Sequence, residues 1–145
     1  MAYSRRVSYA LSAVLLVMIC AGTASSAQSS SEAKKPSLSL RVTPPLGFSP
    51  LRVRLVVDVR GGDDDYEEFY CPTVEWDWGD GTVSENAEDC DPYQAGKSVI
   101  RRRFSTEHVF DQPGAFRVSF RLKQRNRVVG SSTSNVQVRG GLSQP

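Results

Sequence analysis

The sequence is poor in the residues that usually carry chemistry. It holds one histidine and three cysteines in 145 residues, and no Gly-x-Ser-x-Gly elbow or other nucleophile motif accompanies them. One histidine and two well-separated cysteines, Cys71 and Cys90, give no zinc-ligand spacing. Helical periodicity is missing downstream of the N-terminal segment. The main apolar run, Val7 to Ala21, has a core of about a dozen residues, which is short for a bilayer span. Excess charge is also missing. The formal net charge is +2, and Arg5 and Arg6 account for all of it. Residues 28–145 are therefore balanced, which disfavours nucleic acid as a partner.

What the N-terminus does have is a targeting pattern. Arg5-Arg6, the apolar run and the small residues from Gly22 to Ala27 predict a secretory signal peptide over residues 1–27. Cleavage is expected after Ala27, with Ser25 at the −3 position and Ala24 as a second candidate. The domain is then secreted or periplasmic, with no stable membrane span; the alternative is an uncleaved N-terminal anchor. Ile19 before Cys20 is too bulky for a lipid-attachment signal. In an exported chain the remaining pair, Cys71 and Cys90, reads as a disulfide. Closing a loop of about 20 residues, it would be worth on the order of 3 kcal/mol in the chain-entropy picture.

Residues 28–37 read as a flexible Ser-rich linker, residues 38–139 as the folded domain, and residues 140–145 as a C-terminal tail. Within the domain the hydrophobic period is two. Leu38, Leu40 and Val42 alternate with polar residues, and Pro44-Pro45 and Gly47 break the chain. Leu51 to Arg60 alternate over ten residues, a strand with one buried and one wet face. Val74, Trp76 and Trp78 form a third strand that stops at Gly79-Asp80-Gly81, a strong tight-turn signal. A short segment follows to about Ser84. Val99 to Phe110, Phe116 to Leu122, and Val128 to Val138 complete the set, the last irregular around Gly130. About seven short strands predict an all-β, antiparallel sandwich.

Two motifs in order sharpen that fold. Trp76-Asp77-Trp78-Gly79-Asp80-Gly81, followed by His108-Val109-Phe110 and Pro113-Gly114-Ala115-Phe116-Arg117-Val118, resembles the PKD domain family. The likeness runs from about Leu38 to Val138, and it implies an immunoglobulin-like β-sandwich. The Cys71–Cys90 pair and the Glu85–Gly96 insertion lie outside that family's core pattern. Some members of the family bind calcium.

Each candidate site has a plain structural reading beside the functional one. Asp77 and Asp80 offer paired carboxylates, but the turn itself explains their spacing, with Asp80 bonding nearby backbone N–H groups and Gly79 and Gly81 giving backbone freedom. His108 shares register with Phe104 and Phe110, so its ring is expected to face the core and hydrogen-bond there. Asp63-Asp64-Asp65 with Glu67-Glu68 carries enough oxygen for calcium without matching an EF-hand loop; otherwise it is a solvated acidic loop. Tyr66, Phe69 and Tyr70, with Tyr93 nearby, either form a recognition tip or cap the sandwich end. In an immunoglobulin-like arrangement the first, second and fifth strands share a sheet. Its outward positions would be Arg41, Arg52, Arg54, Arg60, Arg101 and Arg103, a face for an anionic partner or a solubilising surface. On the other sheet Glu75 and Asp77 would pair with Arg117, Arg121 and Lys123.

These features predict a non-catalytic exported module that binds a protein or glycan partner at the cell envelope or outside the cell, with no cofactor unless calcium binds. The alternatives are a structural spacer of a surface assembly and a glycan-acting enzyme with unrecognised carboxylates.

Overall fold

A computed structural model describes residues 33–141. The expected signal peptide, Cys20, the first half of the expected linker and the last four residues of the tail lie outside the described residues. Eight strands form: β1 (Ser37–Thr43), β2 (Leu46–Phe48), β3 (Leu51–Arg60), β4 (Thr73–Asp77), β5 (Val83–Asn86), β6 (Arg103–Phe110), β7 (Gly114–Gln124) and β8 (Arg127–Arg139). They make two sheets, β1-β3-β6 and β2-β8-β7-β4-β5. All neighbours are antiparallel except β2 and β8. This is the all-β sandwich that the alternation predicts, and its strands are sorted between the sheets as the resemblance to an immunoglobulin-like family implies.

The pleat explains the core. In β3 the odd-numbered residues Leu51 to Val59 point inward and Arg52, Arg54 and Arg60 point to solvent. Val53, Leu55 and Val57 meet Val118, Phe120 and Leu122 of β7, all six with no exposed surface. Burying each such side chain contributes roughly 2 kcal/mol. Trp76, Trp78, Phe104 and Phe110 fill one end of the same core.

Four details depart from the sequence reading. β2 is an eighth strand, three residues long between Pro44-Pro45 and Ser49-Pro50, and it joins the edge of the second sheet. The fifth expected strand begins at Arg103 rather than Val99. The irregularity in β8 is a bulge: Leu122 opposes Gly130 while Lys123 opposes Val128, so Val129 is the extra residue. The last residues assigned to a flexible linker are held. Lys34 N–H donates to Asp63 Oδ2 at 2.6 Å, Asp63 N–H donates to Lys34 O at 2.9 Å, and Lys35 Nζ donates to Val129 O at 2.6 Å.

Candidate functional site

The Trp76–Gly81 motif forms a corner that ties the sheets together. Asp77 Oδ1 accepts from Gly79 N–H at 3.2 Å, and Trp78 N–H donates to Thr82 O at 3.1 Å. Asp80 Oδ1 accepts from the Thr82 N–H and hydroxyl at 2.9 and 2.6 Å. Its Oδ2 lies 2.7 Å from His108 Nε2, so a side chain in the β4–β5 turn of one sheet meets a side chain on β6 of the other. The His108 ring stacks on Trp78 at 4.1 Å and meets Phe110 edge-on; Trp76 stacks on Trp78 and packs against Phe120. Gly79 has φ +76°, and a Cβ there would come within 2.6 Å of Arg117 O. Across the next turn Gly114 opens β7 after Pro113, where Phe116 stacks on Phe110. Burial alone would raise the Asp80 pKa; the hydrogen bonds from Thr82 and His108 outweigh it and hold the pKa below 3.8. A low-pKa carboxylate engaged in three hydrogen bonds suits a structural corner, not a general acid.

Cys71 and Cys90 are bonded to each other. Beside them, at the end of the sandwich, lies an open groove of about 700 Å³. The 3-10 turn Glu67–Phe69, the 91–93 segment and the β7–β8 turn wall it. Tyr70 and Tyr93 meet edge-to-face at 5.6 Å and form its aromatic corner. Tyr70 OH donates to Asp91 O and Tyr93 OH to Asp65 O, which fixes both rings. Burial, then the nearby Asp65 and Glu67 charges, raises the Tyr93 pKa. Arg127 pairs with Glu68 at 2.5 Å. Glu67, Asp91, Arg125 and Asn126 also line the groove, and their side chains have no hydrogen-bond partner among the described residues. Cys71 and Arg125 take φ of 47° and 55°, a region that favours glycine.

The expected aromatic tip is corrected here. Phe69 is 2% exposed and belongs to the core, where Gly130 leaves room for its ring. Tyr66 packs edge-on against it at 5.3 Å. Of the three aromatics named from sequence, Tyr70 alone lines the groove.

The structure does not bring Asp63, Asp64 and Asp65 together around one point. Asp63 binds the Lys34 N–H, Asp64 binds the Arg102 guanidinium at 2.5 and 3.0 Å, and Asp65 accepts from Gly96 N–H at 3.1 Å. Among the described residues no cluster of three or more metal-ligating side chains occurs.

The arginine face is present, with two corrections. Arg101 precedes β6 and is off the sheet; it pairs with Glu88 and lies over the Phe104 ring. The other five, Arg41, Arg52, Arg54, Arg60 and Arg103, do not simply repel one another, because Asp58 and Glu107 share the face. Asp58 accepts from Arg41 at 2.5 Å and Arg103 at 2.9 Å, with Arg60 at 3.9 Å. The sequence signal was Asp58 itself, the one acid among the outward positions of β3. On the second sheet Arg121 bridges Glu75 and Asp77, and Lys123 bridges Glu75 and Glu85. The Lys123 and then the Arg121 hydrogen bonds lower the Glu75 pKa. Arg117 is not in that network.

No protein-family description matches the chain, and no curated protein does. Among solved structures it is similar to the PKD domain of an M14-like peptidase from a Thermoplasmatales archaeon. The two share 16% identity over 73% of this chain and 98% of that one, with a TM-score of 0.48.

Proposed function

We propose that this domain is a non-catalytic recognition module, secreted or periplasmic, that holds a protein or carbohydrate partner in the groove beside Tyr70 and Tyr93. The observation that carries the reading is the groove itself. Its volume lies in the range of ligand sites, and it combines an aromatic wall with a few convergent polar groups. The tyrosine rings offer fixed apolar faces, while Glu67, Asp91, Arg125 and Asn126 offer unspent donors and acceptors. Leaving such groups free while bonding both tyrosine hydroxyls suits binding better than catalysis. Among the described residues no helix is long and apolar enough to cross a membrane.

The test is a glycan and peptide array probed with residues 28–145, followed by calorimetry on the best ligand. Tyr70→Ala should weaken that ligand about tenfold or more, and Asn126→Ala should weaken it less. Arg117→Ala, on the second sheet, should leave it unchanged. If no ligand survives calorimetry, or if Tyr70→Ala binds normally, the spacer reading replaces this one. Repeating the array with calcium and with chelator tests the metal expectation.

A further inference from the structure

The five arginines on the β1-β3-β6 face are organised rather than scattered. Asp58 is only 14% exposed, yet the guanidiniums it faces, Arg41, Arg60 and Arg103, are 59 to 68% exposed. One nearly covered carboxylate thus holds the inner edge of this group and leaves their remaining N–H donors toward solvent. Arg103 stands directly opposite Asp58 in the β3–β6 register. The Arg103 hydrogen bond, ahead of burial, sets the direction of the Asp58 pKa, which is lowered, so the anchor is charged at neutral pH. Further along, Arg52 lies 3.5 Å from Glu107, and Arg54 has no ion pair among the described residues. Five arginines against two acids leave a local excess of three positive charges in a domain whose total charge is balanced.

We propose that this face binds a linear acidic polysaccharide. From Arg52 to Arg60 the strand extends roughly 27 Å, and three strands make the strip roughly 10 Å wide, a flat track for an extended chain. Guanidinium forks match carboxylate and sulfate oxygens. Glu107, Ser39, Thr43 and Ser105 lie between the arginines as exposed or half-exposed acceptors. Sugar hydroxyls can donate to them, whereas a DNA backbone has no donor to offer. No aromatic side chain faces outward on this sheet to stack bases. Its outward apolar residues, Val56 and Val109, are too few for a lipid surface. This site is on the sheet, apart from the groove, and does not depend on it.

The experiment measures binding of residues 28–145 to dextran sulfate and to polygalacturonate, which separates sulfate from carboxylate, with duplex DNA and anionic phosphatidylserine vesicles alongside. At least one polysaccharide should bind, more weakly as salt rises, and more tightly than DNA or vesicles. Arg41→Ser with Arg103→Ser should weaken it about tenfold or more, as should Arg52→Ser with Arg54→Ser; circular dichroism checks that each variant folds. Asp58→Asn is the sharpest arm. It makes the face more positive, yet it should weaken binding because the guanidiniums lose their shared anchor. Polysaccharide binding that is absent, unchanged by both arginine pairs, tightened by Asp58→Asn, or exceeded by DNA or vesicles would overturn the proposal. Tyr70→Ala should leave it intact, so failure here and failure of the groove reading are told apart.

Discussion

Asp80 carries three hydrogen bonds on a side chain that is 20% exposed, and its charge is therefore coupled to folding. Its folded pKa lies below the ordinary 3.8. A depressed carboxylate contributes stability that is fully present above its unfolded value and is lost as pH falls through the folded one. Asp80→Asn should therefore cost about 1–2 kcal/mol at pH 6, and the gap to the parent should close at pH below 3.8. Urea titrations at several pH values check this; a gap that stays constant down to pH 3 would contradict it. The corner was legible as a motif, because Gly-Asp-Gly and the flanking tryptophans are adjacent in sequence. The bond to His108 was not. It crosses 28 residues and two sheets, and a side chain expected to face the core reveals no partner until the sheets are stacked.

Elements with a repeating pattern were readable, and those without one were not. β3 and β7 alternate long enough to fix their faces, and their assignment to separate sheets came from the resemblance to an immunoglobulin-like family. β2, at three residues, is too short for a period of two to show between its prolines. The 3-10 turn at Glu67–Phe69 has no strand period either, so nothing local distinguishes Phe69 from the tyrosines beside it. Its burial comes from the other end of the chain, where Gly130 on β8 leaves space for the ring. Phe69→Ala should then cost about 3–4 kcal/mol in denaturant unfolding, the behaviour of a core residue. A loss under 1 kcal/mol would return Phe69 to the surface. The disulfide was readable from cysteine parity. The hydrogen bonds that fix Tyr70 and Tyr93 near it were not, since they run to backbone carbonyls of the intervening loops.

At the scale of the molecule, the core of the described residues draws on every long strand. The segment Glu32–Pro145, which separates from Met1–Ser31 by contact density, should fold alone. Expressed with its disulfide formed, it should unfold in one cooperative transition seen alike by tryptophan fluorescence and circular dichroism; separate transitions would show that the upstream segment is needed. Charge balance over residues 28–145 was readable by counting, and so were the acidic loop and the arginine face; the pairing of Asp58 with Arg41 and Arg103 and of Glu107 with Arg52 was not, because it depends on register. The clasp between Lys34 and Asp63 has a further consequence. The incoming chain is fastened at the end of the sandwich that bears the groove, and β8 carries the outgoing chain 13 residues away to the other end. The domain is therefore a directional fitting. A ligand held in the groove as proposed would sit at the inlet, so a fusion partner joined upstream would enter beside it, while one joined after Arg139 would leave from the other end.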